Sequence, residues 1–491
     1  MSDGTAPGTA VRRDRFSGGP AREFLSSLAA DEAIFAADLA VDRAHVVMLA
    51  EEGILEPDVA GGILSALAAV EADGHDALSE GEDVHEAIET AVIDRIGPDG
   101  GRMHTARSRN DEVATCIRYR LREDLLELAE ATLALREALA ATAREHAGTT
   151  MPGYTHLQSA QPTTVAHHLL SYESAIARET ARLLDAYDRT NRSPLGAAAF
   201  AGTPFAIDRE RTAELLGFDG IVENSMDAVS ARDFLVEAAA TIASLATTLS
   251  GLAEDLIVFA NKGFLELDDD YASTSSIMPQ KKNPDTLELT RGAAGDAIGE
   301  LTGVLTALKG LPRAYNRDLQ GVHPGVFEIA GLVRDATDVA GGAVATAEWN
   351  ADALAEAAGG GFSTATGVAD LLAMAGLPFR SAHEIVAHAA ASIEDATDAD
   401  STATVLDAAA EDVLGESLFE YVDRADLESV LDPNVSVASR DSAGGPAPEA
   451  VDDALSSVDS AIAADDDAII DRRNALAEAA ETLEAEVASY V

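Results

Sequence analysis

Apolar residues recur at the spacing of α-helices along most of this 491-residue chain. Residues 102–147 contain neither glycine nor proline, and one apolar stripe runs through them: Ile117, Leu121, Leu125, Leu128, Leu135 and Leu139. This pattern predicts a helix of about 35 residues, about 50 Å long. Residues 163–193 and 221–250 also lack glycine and proline, and two further helical segments follow Pro284 and Pro324. Because no alternating strand pattern accompanies them, the sequence predicts an all-α fold with a long central helical bundle.

Glycine and proline clusters divide the chain into three predicted domains. Residues 1–105 are predicted to form an N-terminal helical domain, which ends near the Gly-Pro-Asp-Gly-Gly break. Residues 106–353 are predicted to form the central bundle domain. Residues 354–491, which begin shortly before a run of three glycines, are predicted to form a C-terminal helical domain.

Three segments are predicted to face solvent. Residues 1–15 lack any periodicity, which predicts a disordered lead-in. The run Glu82-Asp83-Val84-His85-Glu86-x-x-Glu89 is typical of an exposed acidic helix face. Residues 394–432 carry thirteen acidic residues and one base, Arg424, and this composition predicts a solvated acidic insertion in the C-terminal domain.

The acidic composition restricts the partners that the chain can bind. It has 34 basic and 86 acidic residues, a net charge of −52. Such a surface repels nucleic acid and anionic membranes, so we expect neither as a partner. At about 1 M salt the Debye length is about 3 Å and most of the self-repulsion disappears, so the acid excess indicates adaptation to a salty cytoplasm, as in halophiles. The alternative, an acidic tail for a basic partner, fits poorly because the charge is spread along the whole chain.

The cysteine content and the distribution of apolar residues limit the possible disulfides, metal sites and cellular location. Cys116 is the only cysteine, which excludes an intramolecular disulfide and a cysteine-based metal cage. The chain has neither an apolar N-terminal run nor an uninterrupted stretch of about 18 apolar residues. We therefore expect neither a signal peptide nor a membrane span, and a cytoplasmic location.

The densest candidate chemistry lies in residues 273–288, Ser-Thr-Ser-Ser-Ile-Met-Pro-Gln-Lys-Lys-Asn-Pro-Asp-Thr-Leu-Glu. Pro279 and Pro284 fix φ and remove backbone donors, which predicts a loop leading into a helix that begins near Pro284 or Asp285. Only four of the 34 basic residues are lysines, and two of them, Lys281 and Lys282, stand together here. Polar loops on a rigid scaffold often carry catalytic residues.

Several runs of this chain resemble motifs of a known family. Ser275-Ser276-Ile277-Met278-Pro279-x-Lys281-x-Asn283-Pro284 resembles the shared motif of the fumarase/aspartase superfamily, and Gln280, Lys282 and Asp285 make it similar to argininosuccinate lyases in particular. Residues 104–111, residues 151–162 and residues 315–320 resemble further motifs of that family. Residues 224–233 are also a family-like run, and residues 436–445 return to the family pattern. The resemblance covers residues 24–445 almost throughout.

The resemblance implies reversible β-elimination of argininosuccinate to arginine and fumarate, without a metal or an organic cofactor. It implies that Ser275 is the base, activated by loop N–H groups and nearby cations, and that Lys281 and Asn283 stabilise the carbanion. His156 is implied as the acid or as the relay to a water, with Glu288 holding and charging its ring. The allocation of acid and base stays open at this point.

A second set of residues is implied to bind the substrate. Arg232 has two readings, a contact to a substrate carboxylate or an ion pair on a helix surface. His323 stands where the family usually has a lysine, and a titrating histidine there predicts an affinity that weakens as the pH rises. The full set comprises Ser27, Ser108, Arg109, Asn110, Thr155, Arg232, Tyr315, Gln320 and His323.

The resemblance also implies a homotetramer whose pooled helices form the core, with each site built from three chains. Two alternatives stay open. One is another fumarate-releasing lyase of the superfamily, such as adenylosuccinate lyase or aspartase. The other is a non-catalytic structural homologue of the crystallin kind.

Overall fold

The computed structural model describes residues 20–78, 81–393 and 399–491, and the predicted lead-in at 1–15 lies outside them. The described chain is mostly helical, so the all-α prediction is confirmed. The helices before the bundle are α1 (Pro20–Leu25), α2 (Phe35–Glu51), α3 (Pro57–Asp73) and α4 (Val84–Ile96). Those of the central region are α5 (Arg109–Glu145), α6 (Val165–Thr190), α7 (Arg209–Leu215), α8 (Ser225–Ser230), α9 (Asp233–Asn261), α10 (Asp285–Leu308) and α11 (His323–Thr346). The last are α12 (Ala351–Gly359), α13 (Ala365–Met374), α14 (Phe379–Ala390), α15 (Ala399–Leu414), α16 (Arg424–Val430), α17 (Pro433–Ala438) and α18 (Pro448–Tyr490).

Five long helices form the central bundle. The 37-residue α5 packs against α6 and α11, and α9 packs against α6, α10 and α11. Every residue of the predicted stripe on α5 is buried, which confirms the reading of that helix. α9 is long and apolar enough to cross a membrane, but half of its most apolar window is buried inside the bundle, as in the core helix of a globular protein.

The predicted helix over 221–250 is interrupted. α8 ends at Ser230, α9 begins at Asp233, and Arg232 has a non-helical backbone (φ −135°, ψ 15°). The Arg232 guanidinium donates to the carbonyls of Ala231 (2.8 Å) and Val229 (3.4 Å). The side chain thus satisfies carbonyls that the helix end leaves without a partner, so the break forms without glycine or proline.

Short antiparallel ribbons interrupt the helices: β1 (Thr150–Thr155) with β2 (Gln158–Thr164), β3 (Leu265–Glu266) with β6 (Glu348–Trp349), and β4 (Ser273–Thr274) with β5 (Lys282–Asn283). Residues 151–162 are bounded by prolines, a pattern that predicts a loop, but most of them form the β1–β2 hairpin instead. Pro152 and Pro162 are cross-strand partners in it. A proline argues against a central strand but is compatible with an isolated two-stranded ribbon, which consists of edges only.

The described residues contain one large apolar core, a smaller one, and a minor cluster of Ala197, Ala228 and Val229. The large core includes residues from α2 to α11 and returns to α18, which lies along α5, α6 and α3. The smaller core joins α13, α14, α15 and α16. Residues 399–432, the described part of the predicted acidic insertion, bury Leu406, Ala410 and Leu427 in this core, so they are a packed part of the C-terminal region and the reading as a solvated insertion is wrong for them. The three-domain boundaries stay a prediction.

Arginines hold the acidic α18 to the bundle. Arg473 pairs with Glu123 (2.5 Å) and Glu130 (2.7 Å) on α5, and Arg472 pairs with Asp188 on α6. Arg136 on α5, fully buried, pairs with Asp465 on α18 (2.6 Å). These pairs are few beside the net charge of −52, so most of the acidic surface repels itself.

We expect both the thermal unfolding midpoint and the activity to rise as KCl increases from about 0.1 M to about 2 M, because the Debye length falls from about 10 Å towards 3 Å and below. Unfolding followed by circular dichroism, with fumarate release measured in the same buffers, tests this. If the unfolding midpoint and the activity in dilute buffer equalled those in about 2 M KCl, the halophilic interpretation would be contradicted.

Candidate active site

A polar cavity of about 360 Å³ lies where the starts of α4, α5, α9 and α11 meet. Every predicted substrate-binding residue except Thr155 lines it. Acidic and basic side chains alternate around its wall, with Asp31, Glu82 and Asp83 beside Arg109, Arg232 and Arg317. A cavity with both signs of charge suits a ligand that carries both carboxylates and cations.

The start of α5 supplies one wall of the cavity. Ser108 is the N-cap in a capping box, in which its hydroxyl accepts from Asn110 N (3.3 Å) and its own N–H donates to Asp111 (2.9 Å). Asn110 Nδ2 donates to the Ala199 carbonyl (3.1 Å). Arg109 pairs with Asp83, the N-cap residue of α4 (2.7 Å). These contacts fix the donors at a helix N-terminus, where anions are favoured.

The run at residues 82–89 is buried, so its prediction as an exposed acidic face is wrong. Asp83 caps α4 by accepting from Glu86 N (2.8 Å), and Glu86 is 1 % exposed. The carboxylates find basic partners far away in the sequence, since Arg109 pairs with Asp83 and Arg317 pairs with Glu82. The same region holds Ser27, whose N–H donates to the Glu82 carbonyl (2.8 Å).

Arg232 is 2 % exposed and lies in the cavity wall, so its reading as a surface ion pair is wrong. Its Nε has no hydrogen-bond partner among the described residues. Burial lowers the pKa of Arg232 to about 10, with the nearby Tyr315 acting in the opposite direction. The group is therefore a desolvated cation at neutral pH, which favours binding of an anion.

Tyr315 and Gln320 also line the cavity. Burial raises the pKa of Tyr315, so its phenol stays protonated and can donate a hydrogen bond. Gln320 accepts from Arg317 (3.0 Å) and donates to the Leu25 carbonyl (3.3 Å). Both residues come from the segment between α10 and α11, as the sequence predicted.

His323 is buried at the start of α11, and neither ring nitrogen has a partner in the described chain. Burial, followed by the charges of Arg232 and His85, lowers its pKa to about 3. The ring is therefore neutral across the physiological range, and the predicted weakening of affinity through a histidine titration is wrong for the folded chain.

We expect His323→Gln to change the KM for argininosuccinate by a constant factor between about pH 5 and about pH 9, because the wild-type ring does not titrate there. Parallel KM profiles of the two proteins would meet this expectation. A ratio of KM values that changes around pH 6.5, the ordinary pKa, would show that the ring becomes charged when the substrate binds.

The loop at 273–288 is closed by the β4–β5 ribbon and leads into α10 at Asp285, as predicted. Within it, the Ser275 Oγ accepts from the backbone N–H groups of Met278 (3.1 Å) and Ile277 (3.4 Å). Two amide dipoles therefore point at the hydroxyl oxygen and favour negative charge on it. Ile277 is 83 % exposed, which is a large apolar surface for a loop of one chain.

The other predicted catalytic residues of the loop point outward. Lys281 and Glu288 are exposed, and Asn283 is half-buried beside a second cavity of about 530 Å³. Lys282 is held by Asp269 (2.7 Å) and Glu266 (3.3 Å), so of the two adjacent lysines it is the structural one.

His156 lies at the tip of the β1–β2 hairpin, in the two-residue turn between Thr155 and Gln158. His156 and Leu157 both have φ of 56°, a left-handed conformation that is costly for residues other than glycine and is typical of a type I′ turn. Thr155, His156 and Leu157 are all exposed. The hairpin therefore presents the imidazole away from its own chain.

One chain does not bring the two sets of residues together. The cavity holds the predicted substrate contacts, whereas Ser275, Lys281, Asn283, Glu288, Thr155 and His156 lie on two loops outside its lining. No hydrogen bond or ion pair joins His156 to Glu288 within the described part of the chain. Asp31 and His85 line the cavity but were not predicted to do so. Their helices are buried, and the composition of the sequence does not show this burial.

Two overlapping buried clusters have the ligand types of a metal site: Asp38 with His85 and Cys116, and Asp38 with Asp42 and Glu112. The donors are already used by protein groups. Arg107 pairs with both Asp42 and Glu112, and the Cys116 thiol donates to Asp38 (3.4 Å). Burial raises the pKa of Cys116, which keeps it protonated. These clusters therefore do not fit a metal ion.

Comparison with known proteins gives the family of the chain. A family model described as lyase matches residues 27–299, and one described as argininosuccinate lyase C-terminal matches residues 362–438. The chain is 65 % identical over 486 residues to the argininosuccinate lyase of Haloarcula marismortui, covering 98 % of this chain and 97 % of that protein. It is 68 % identical to that of Natronomonas pharaonis, covering 98 % and 96 %. Among solved structures, EDDS lyase in complex with formate is 34 % identical with a TM-score of 0.86, covering 100 % and 98 %.

The helical bundle with its polar loops is that of a lyase of the fumarase/aspartase superfamily. Within this superfamily the chain belongs to the argininosuccinate lyases. Its reaction is the reversible β-elimination of argininosuccinate to arginine and fumarate, in arginine biosynthesis. The C-terminal family match and the near full-length identity decide against the adenylosuccinate lyase, aspartase and crystallin-like alternatives.

Proposed function

We propose that Ser275 removes the substrate proton in this elimination. The observation that carries the proposal is the pair of backbone N–H groups donating to its Oγ. A neutral serine is too weak a base for a C–H group, so it must act as an alkoxide, and aligned amide donors lower the cost of that charge. The exposure of this loop leaves room for substrate above it.

Lys281 and Asn283 stabilise the carbanion that follows. Its charge is delocalised into the adjacent carboxylate, and a compact ammonium with an amide donor suits that distribution. Lys281 is exposed and takes no part in the ion pairs of Lys282, so its charge is free to meet a substrate. Asn283 belongs to β5, which gives it a rigid backbone.

His156, with Glu288 as its partner, protonates the departing guanidino nitrogen directly or through a water. A carboxylate beside an imidazole favours the protonated ring, which the acid role requires. The left-handed backbone at the hairpin tip supports a functional reading of His156, because such strain is retained mainly at functional sites.

The cavity holds the remainder of the substrate. Argininosuccinate carries three carboxylates, a guanidinium and an ammonium group, and the wall offers groups of both signs. The residues that supply donors or acceptors to it are Ser27, Ser108, Arg109, Asn110, Tyr315 and Gln320. Arg232 adds a buried positive charge beside the neutral ring of His323. Thr155 contributes from the hairpin that carries His156.

The active form is a homotetramer with sites shared between chains. α10 supports this, because Leu289 (76 % exposed), Ile298 and Leu305 face outward along one helix. Between them, an added Cβ at Gly292, Gly295, Gly299 or Gly303 meets nothing within 4 Å. Exposed apolar residues with small residues between them allow close packing of helices from another copy. The cytoplasmic location also stays a prediction.

Fumarate release, followed by its ultraviolet absorbance, tests the reaction. The purified chain in molar KCl is offered argininosuccinate, adenylosuccinate and aspartate in parallel. We expect release from argininosuccinate alone. Comparable release from either other substrate would contradict the substrate assignment and leave the class of reaction intact.

A further inference from the structure

His85 lies beneath the cavity, on the first turn of α4, where the sequence had suggested an exposed acidic face. The residue is 6 % exposed, and its ring forms part of the cavity lining. Behind it, Nδ1 is 2.8 Å from Asp38 Oδ2 on α2 and 3.8 Å from Glu112 Oε1 on α5. A histidine is thus held between two buried carboxylates on one side and the substrate cavity on the other.

The buried charges around His85 require a cation there. Asp38, Asp42 and Glu112 are three buried carboxylates, and Arg107 pairs with the last two, at 3.0 Å for Glu112. Among the described residues, the only cation in ion-pair contact with Asp38 is His85. If the ring were neutral, Asp38 would be a buried carboxylate without a cation in ion-pair contact, and uncompensated buried charge is strongly unfavourable.

The pKa values agree with this geometry. Burial alone would lower the pKa of His85, but the charges of Asp38 and then Glu112 outweigh it and raise the pKa to about 10. Burial also raises the pKa of Glu112, and that of Asp42 to about 7. Near neutral pH the cluster can therefore hold a second proton on one of these carboxylates while His85 keeps its own.

His85 lines the cavity together with Arg232 and His323. Because Nδ1 is the nitrogen in ion-pair contact with Asp38, Nε2 is the nitrogen left to donate to a ligand. His85 and Arg232 both lower the pKa of His323, so these three residues act on one region of the cavity. Arg232 Nε and both nitrogens of His323 have no partner within the described chain. The unpaired Nε–H of Arg232 and the single N–H of the neutral His323 ring are donors that fit a carboxylate.

We propose that His85 is a substrate-binding residue that stays protonated throughout catalysis and donates its Nε2–H to a carboxylate of the substrate. Asp38 and Glu112 are positioning residues, which hold the ring and its proton. The proposal rests on the assignment of this cavity to substrate binding, made above. The charged and titratable groups that face His85 come from every element packed around it: Asp31, Asp38, Asp42, Asp83, Glu86, His104, Arg107, Glu112, Cys116, Arg232 and His323.

Asp38→Asn tests the proposal through the pH dependence of KM. The substitution removes the largest charge that holds the proton, so the pKa of His85 falls towards or below its ordinary value of about 6.5. The acid form of the ring is the cation, so raising the pH then removes the cation and weakens binding. We expect the ratio of KM in the variant to KM in the wild type to rise about tenfold or more from about pH 5.5 to about pH 9, as for a lost charged hydrogen bond. The kcat ratio should change less.

Asp42→Asn is the matched control. It makes the same chemical change in the same buried cluster, but Asp42 pairs with Arg107 and not with His85. Because the pKa of Asp42 is about 7, its KM ratio can change around pH 7, but Asp38 still holds the proton of His85, so we expect the change to stay well below the tenfold rise of Asp38→Asn. His85→Gln keeps a donor and loses the charge, so its KM ratio should be raised by a pH-independent factor.

A flat KM ratio in Asp38→Asn, with a folded protein by circular dichroism, would overturn the proposal. If that variant does not fold in molar KCl, Glu112→Gln provides the test, with a smaller rise in the same direction and a flat ratio again counting against the proposal. Asn110→Ala separates this inference from the assignment of the cavity. An unchanged KM there would refute the cavity as the substrate site, whereas a raised KM with flat Asp38→Asn and Glu112→Gln ratios would refute the role of His85 alone.

Discussion

Ser275→Ala is expected to lower turnover by a factor on the order of 10² or more, while the affinity for argininosuccinate largely persists. The Oγ accepts the N–H groups of Ile277 and Met278, and it is absent from the cavity that binds the rest of the substrate. The loss should therefore fall on kcat and leave KM close to the wild-type value. Steady-state kinetics of fumarate release measures both constants.

The neighbouring hydroxyl supplies a control for this variant. Ser276 is exposed in the same loop, and no backbone N–H group donates to its side chain in the described contacts. Ser276→Ala should therefore lose far less activity than Ser275→Ala. Near-normal turnover in Ser275→Ala, or equal losses in the two variants, would move the base to another residue.

The long helices could be predicted from the sequence because their signal is local. The stripe on α5 lies within one uninterrupted run, and its burial follows from periodicity alone. The break before α9 could not be predicted in this way. It depends on the Arg232 side chain, which binds the carbonyls at the end of α8 and lies in a cavity made by distant segments.

The burial of charged residues was predicted less well than the helices were. The run at 82–89 has the composition of a solvated face, but its partners Arg109 and Arg317 are distant in sequence. Composition shows how many charges a segment has and not which opposite charges will meet them. For the same reason, the contacts of His85 with Asp38 and Glu112 could not be foreseen, although all three residues are visible in the sequence.

The candidate site was predicted as a set of motifs, and the fold of one chain explains only half of their grouping. The substrate contacts meet in one cavity because the starts of α4, α5, α9 and α11 meet there. Ser275 and His156 instead lie on an exposed loop and an exposed hairpin tip with no contact between them in the described chain. Exposed catalytic loops beside an exposed apolar helix face point to other copies as the missing part of the site.

Co-refolding two inactive variants, Ser275→Ala and His156→Ala, is expected to restore fumarate release. If one chain supplied both residues to a site, every site in a mixed oligomer would keep one defect. If different chains supply them, random mixing in equal amounts gives an intact Ser275 and an intact His156 to about one quarter of the sites. Activity should then rise from near zero to about a quarter of the wild-type value, provided that the oligomers are shown to be mixed.

The controls for this experiment decide between a shared site and simple refolding. Each variant refolded alone should stay inactive, and mixing the two without unfolding should restore activity only as fast as subunits exchange. The double variant Ser275→Ala/His156→Ala co-refolded with wild type should dilute activity and create no new site. Verified mixed oligomers without any fumarate release would show that Ser275 and His156 act from the same chain, and the hairpin and the loop would then have to close on each other within one subunit.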